Sequence, residues 1–209
     1  MRKTQAPPPD DRPTAPEAST PWMLPFLPGL LVVVVLAFLL GSCTGSSAAP
    51  EVTKSPVPTG TIPPDAVCDG QPATIVGTEG DDLIVGTFGN DVILAQGGDD
   101  FVRGLRGNDA ICGGQGNDSL FGAQDDDTLI GGPGNDGLFG EYGNDTEIGG
   151  SGNDMLTGGG GDPGKDNLDG GPGNDVLSGG PGDDVLTGDD GNDVLHGWKG
   201  ADHLDGGPG

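Results

Sequence analysis

The sequence predicts an all-β, parallel solenoid in which two short repeats make one turn of the coil, and three observations predict it. A nine-residue period runs from Gly77 to Asp205 with one three-residue insertion. Its sixth position is Asp in all fourteen copies. Its eighth position is Ile, Val or Leu in thirteen, Glu147 being the exception. A fixed period this short means stacked units that each make the same contacts.

Taken in chain order, residues 1–21 are rich in Pro, Thr and Asp and read as a disordered N-terminus. Trp22 to Leu40 is apolar and ends at Gly41-Ser42-Cys43, so residues 22–43 read as an export segment. Leu40-Gly41-Ser42-Cys43 resembles a lipobox, in which Cys43 would be cleaved at and lipidated. The same stretch, read as an apolar helix, also suffices to cross a bilayer as an uncleaved anchor. Pro25 and Pro28 shorten it towards a signal-peptide core, and cleavage with release is a third reading. All three place the repeats outside the cytoplasm. Residues 44–67 form a Pro/Ser/Thr-rich linker that could hold the next domain up to roughly 70 Å from a membrane.

Residues 68–76 end in Thr74-Ile75-Val76, in phase with the repeats, and read as an N-terminal capping strand. The chain has three cysteines. If Cys43 is lipidated, Cys68 and Cys112 remain as an even pair in an oxidising setting. A Cys68–Cys112 disulfide would pin the cap to the early turns, and two free thiols are the alternative.

Residues 77–209 carry the pattern G-G-x-G-[ND]-D-x-U-x, where U is aliphatic. Glycine permits positive φ and close approach of backbone carbonyls, and Asn and Asp favour turns, so positions 1 to 6 read as a tight turn. Positions 7 to 9 are too short for a helix and read as a three-residue strand with its middle side chain inward. Two repeats per turn stack repeat i on repeat i+2, about 4.8 Å away. The sixth-position carboxylates then form rows that repel unless a cation lies between them. Ca²⁺ accepts six to eight oxygens, including backbone carbonyls. The formal net charge is −25. Seven coils offer roughly a dozen inter-turn sites, so on the order of +24 of calcium would nearly cancel it.

These residues resemble the repeats-in-toxin (RTX), or haemolysin-type, calcium-binding nonapeptide repeat of bacterial exported proteins, whose consensus the pattern follows. The resemblance covers Gly77 to Asp205. It implies a right-handed parallel β-roll of about seven two-repeat turns. It also implies Ca²⁺ held by sixth-position carboxylates and backbone carbonyls of the neighbouring glycine turn. Carried onto this chain, the side-chain ligands are Asp82, Asp91, Asp100, Asp109, Asp118, Asp127, Asp136, Asp145, Asp154, Asp166, Asp175, Asp184, Asp193 and Asp202. Without calcium such an acidic, glycine-rich tract is expected to be unfolded. Affinities on the order of 10⁻⁴ to 10⁻³ M suit an extracellular module.

Several departures locate expected irregularities. Glu147 puts a carboxylate at a core position or slips its strand by one residue. Asp125 replaces a turn glycine. Pro163-Gly164-Lys165 reads as the insertion. Gly159 to Lys165 spells G-x-x-x-x-G-K, but Asp166 follows where a phosphate-binding loop needs Ser or Thr, and no strand-to-helix context surrounds it. Position 9 is apolar early in the array. Leu94, Cys112, Ile130 and Ile148 would form one ladder, with Phe121 stacked on Phe139 on the other face. Such ladders suit either ordinary cross-strand packing or an interface for a partner or a second copy.

No HExxH or GxSxG motif occurs, and the only histidines, His196 and His203, fall at outward positions. The expected function is therefore non-enzymatic calcium binding on the outer face of a bacterial cell envelope, membrane-tethered or secreted. No nucleic-acid partner is expected from so acidic a chain. An adhesive or structural module is the alternative, and a fragment of a larger RTX enzyme or toxin is the remaining one. The chain stops within a repeat, at Gly206-Gly207-Pro208-Gly209, which predicts an uncapped last coil.

Overall fold

The computed structural model describes residues 66–161 and 163–209 of the 209. The predicted segments 1–21 and 22–43, Cys43 and nearly all of linker 44–67 lie outside them. A small antiparallel hairpin comes first, β1 (Val67–Cys68) with β2 (Gln71–Pro72), turned by Asp69 and Gly70 at positive φ. The expected single capping strand is thus a hairpin followed by β3 (Ile75–Val76), the first rung of a sheet. A Cys68–Cys112 disulfide ties the hairpin to the roll. Closing a loop with a sequence separation of 44 limits the unfolded chain. In the chain-entropy account this contributes about 4 kcal/mol.

The repeats form two sheets with every neighbouring pair parallel. One has seven strands: β4 (Leu83–Val85), β6 (Phe101–Arg106), β8 (Ser119–Gln124), β10 (Gly137–Tyr142), β12 (Met155–Gly159), β14 (Val176–Pro181) and β16 (Val194–Lys199). The other has eight. After β3 come β5 (Val92–Gly97), β7 (Ala110–Gln115), β9 (Thr128–Pro133), β11 (Thr146–Ser151), β13 (Asn167–Asp169), β15 (Val185–Thr187) and β17 (His203–Asp205). The chain alternates between sheets with each repeat, so seven two-repeat turns make a parallel β-solenoid. Register is i to i+18, as in Leu120↔Leu138, and i to i+21 across the insertion, as in Leu156↔Leu177.

Most strands are six residues long, not three. They run from position 7 through position 3 of the next repeat, because the backbone of positions 1 to 3 also joins the ladder of the neighbouring coil. The turn proper is correspondingly tighter. Positive φ falls at position 2, even at the non-glycine residues Leu105 (95°) and Glu141 (74°), and at position 4, as at Gly116 (130°).

The core is a single file of eighth-position side chains between the sheets. From Ile84 to Leu186 these are at most 2% exposed. Glu147 keeps its register opposite Leu129 and Leu168, so the strand does not slip and the carboxylate enters the core. The insertion is placed differently from the sequence expectation. The Lys165 amide donates to Asn144 Oδ1, and the Asp145 amide donates to Asp166 Oδ1. Gly164, Lys165 and Asp166 therefore occupy positions 4, 5 and 6, Gly159 pairs with Glu141 at position 2, and the surplus residues lie between Gly159 and Gly164. Hydrogen-bond registry, not composition, fixes which residues are surplus.

Candidate metal centre

The turns align along two edges of the roll. On the first edge the sixth-position residues are Asp82, Asp100, Asp118, Asp136, Asp154, Asp175 and Asp193. On the second they are Asp91, Asp109, Asp127, Asp145, Asp166, Asp184 and Asp202. The structure brings all fourteen predicted ligands into these two columns. In each column the amide of one Asp donates to Oδ1 of the Asp one coil further on. The distances are 2.7 Å from Asp82 to Asp100, 2.8 Å from Asp118 to Asp136 and 3.1 Å from Asp184 to Asp202. One carboxylate oxygen is therefore structural. It sets the spacing of the coils.

In nine of the fourteen the other oxygen is chemically unsatisfied. Oδ2 of Asp100, Asp109, Asp118, Asp127, Asp136, Asp154, Asp175, Asp184 and Asp193 is buried with no hydrogen-bond partner. A buried anionic oxygen without a donor is costly and calls for a cation. Burial raises the carboxyls of Asp100, Asp109, Asp118, Asp127, Asp136, Asp154, Asp175 and Asp184, and neighbouring carboxylates add to the rise at all of these but Asp154. Those of Asp100, Asp109, Asp136 and Asp175 are pushed up to about 6 and that of Asp127 to about 8.

Glycine at position 1 leaves room for this carboxylate, since a Cβ on Gly104 would overlap Asp109 and one on Gly131 would overlap Asp136. Glycine at position 4 does the same for carbonyls. A Cβ on Gly134 would run into the Gly116 oxygen, and one on Gly152 into that of Gly134. Each edge is thus a file of carboxylates beside a file of close-packed carbonyl oxygens. That is an all-oxygen donor set suited to a hard cation such as Ca²⁺, and these residues fit such an ion.

The first coil differs. Oδ2 of Asp82 accepts from the Thr78 amide at 2.6 Å and from its hydroxyl at 2.9 Å. Thr87 does the same for Asp91. Here the protein's own donors stand where Asp100, Asp109, Asp118 and Asp127 in the next two coils have none. The sequence carries the signal, because Thr occupies position 2 only in the first two repeats, but a glycine-centred reading passes over it. Position 5 was also underread. Along the first edge, Asn117 donates to Asp99, Asn135 to Asn117, Asn153 to Asn135, Asn174 to Asn153 and Asn192 to Asn174, through amide and side chain alike.

The second edge absorbs the irregularities. Asp125 takes φ +76° and accepts from the Gly107 amide at 3.1 Å. Lys165 replaces Asn and pairs with Asp183 at 3.1 Å. Glu147 Oε1 accepts from the Gly140 amide at 2.7 Å, and burial holds this carboxyl well above the usual range. No helix follows the Gly159–Lys165 stretch among the described residues, so a phosphate loop is not formed.

Fold and site together define a parallel β-solenoid that presents one sixth-position carboxylate per repeat along its two edges. The model of the RTX calcium-binding nonapeptide repeat, which spans four copies, matches residues 76–111, 113–147, 139–177, 160–195 and 178–209. The matches cover more than half of the chain, and the chain belongs to this family of calcium-binding repeats. No curated protein matches it.

Proposed function

We propose that this chain is an exported bacterial calcium-binding module whose β-roll folds as it takes up Ca²⁺ at the fourteen sixth-position aspartates. The observation that carries this reading is the file of buried Oδ2 atoms without donors, repeated coil after coil. Neighbouring buried carboxylates resist folding while they are ionised and bare, and an ion shared between coils turns that repulsion into attachment. Roughly a dozen ions fill the inter-coil positions. Chemistry at the roll ends with ion binding, and the module is not an enzyme. Residues 22–43 direct export and hold the module at the outer face of the envelope, through lipidated Cys43 or as an uncleaved anchor.

Circular dichroism during calcium titration tests the coupling. A β signal should rise cooperatively with Ca²⁺ and not with equal Mg²⁺, whose rigid octahedral demand fits a carbonyl file poorly. A full β signal in chelator at neutral pH would end the proposal. Metabolic labelling with a fatty acid, lost in Cys43→Ser, tests lipidation.

An adhesive role is the second reading. It is favoured by one observation, the aromatic stack Phe101–Phe121–Phe139, with ring centroids 5.0 and 4.8 Å apart on one outer face. Replacing Phe121 and Phe139 by Ser should then reduce self-association or partner capture without changing the calcium titration.

A further inference from the structure

We propose that the outer face of β12, β14 and β16 carries a saccharide-binding site built on Trp198. The site goes beyond calcium binding, and its ligand would not touch the carboxylate files.

Four features meet at this place. Trp198 is 74% exposed, although a large aromatic ring is a costly surface to leave in water. It holds φ +69° at position 2, where the two preceding coils of the same sheet have Gly159 and Gly180. Position 2 takes this left-handed backbone along the roll, as at Leu105 and Glu141, and here it carries an indole in place of glycine. The ring is also fixed. Its Nε1–H donates to Ser178 Oγ at 2.9 Å, one coil back, and His196 lies 6.0 Å away centroid to centroid. It therefore leans over its own sheet rather than past the end of the roll. Finally, the ring overhangs a trough of about 360 Å³, whose floor is the bare backbone of Gly159 and Gly180. Thr157 and Ser178 line one side and Pro181 and Lys199 the other, with Gly160 of the insertion at the rim.

This combination selects the ligand class. A flat, immobile aromatic face opposes the C–H face of a pyranose. Thr157 and Ser178 hydroxyls and the Lys199 ammonium, which makes no ion pair among the described residues, can meet its hydroxyl or carboxyl groups. The trough is at the lower end of ordinary ligand-site volumes, and its mostly apolar lining is edged by two hydroxyls and an ammonium, which suits the amphipathic face of a sugar ring. One ring without further aromatic walls does not make the cage that a quaternary ammonium requires.

The test uses the full chain in calcium and a zwitterionic detergent, with Trp22→Phe so that Trp198 is the sole indole. Its emission is followed while chito-, cello- and galacturonate oligosaccharides are added. At least one of the three should shift the emission saturably. Trp198→Gly restores the residue found in the preceding coils, so its calcium-induced dichroism should be intact. Calorimetry with the same oligosaccharide should then show affinity about tenfold weaker or lost. Ser178→Ala, which frees the ring, should weaken binding less. No emission change with any of the three, or equal affinity in Trp198→Gly, overturns the proposal. Failure of the calcium-induced dichroism in the parent chain would instead count against the calcium reading.

Discussion

The two edges of the roll are written in the same nonapeptide and are not equivalent. The first is nearly uniform. Its position-5 side chains form an unbroken run from Asp99 to Asn192, and its central position-2 residues, Gly114, Gly132, Gly150 and Gly171, are all glycine. The second edge carries Asp125, the insertion, Lys165, Ala201 and the bulky position-2 residues Leu105, Glu141 and Trp198. It also receives the buried Glu147 through the Gly140 amide. Ala95, Gln96 and Asp189 are the comparable departures on the first edge, and they lie near its ends. The sixth-position ladder nevertheless runs through both edges with the same geometry. The lesson is that the roll tolerates variation in the turn backbone and at its surface, provided the Asp amide-to-Oδ1 bond is kept.

The largest expected effect comes from removing the charge of both files at once. Without calcium, burial pushes the carboxyls of Asp100 and Asp136 on the first edge up to about 6 and that of Asp127 on the second up to about 8, above the ordinary value of 3.8. A raised carboxyl favours the fold below its unfolded value, and that contribution is lost as pH climbs through the folded one. The calcium-free roll should therefore be most ordered near pH 4 and lose its β dichroism between pH 6 and 8. Dichroism in chelator that is flat across this range would contradict the reading.

Glu147→Leu should come next. It replaces a buried carboxyl, one of whose oxygens lacks a partner, with the aliphatic side chain used by every other repeat. A gain of about 1–3 kcal/mol is expected, read as a rise of several degrees in the melting temperature of the calcium-loaded protein. A fall would mean that the second edge depends on its irregularity.

Asp118→Asn and Asp109→Asn compare the edges directly. Asn keeps an oxygen for the amide one coil back and removes the charge, so each variant isolates ion binding. Each should raise the calcium midpoint, by roughly tenfold at the affected sites. The first-edge variant should also flatten the titration more, because it interrupts an otherwise regular column. Equal flattening would erase the distinction between edges.

Asp125→Gly should have the smallest effect. Relief of a left-handed non-glycine residue contributes about 1 kcal/mol, offset by loss of the Gly107 amide bond. A change in chemical-denaturation midpoint beyond that size would show that Asp125 itself takes part in binding.

The period alone made much of this legible. Spacing of Asp and of aliphatic residues suffices for the number of turns, the i to i+18 pairing and the inward file from Ile84 to Leu186, because a solenoid repeats its local geometry. The fourteen carboxylates were legible for the same reason. Strand length was not, since whether positions 1 to 3 join a ladder depends on the coil above. Nor was the division of labour within carboxylates such as those of Asp100, Asp109, Asp118 and Asp127, one oxygen bonding the neighbouring amide and the other buried without a donor.

What the sequence determined by itself is the repeat, its phase and the chemistry offered at each phase. The tertiary structure decided everything that depends on which coil lies next to which. It located the surplus residues between Gly159 and Gly164, held Glu147 in register with its carboxylate inward, and aligned the fourteen aspartates in two columns. The physical reason is that the ladder partners of the fifth- and sixth-position residues are eighteen or twenty-one residues apart in sequence and adjacent only after stacking.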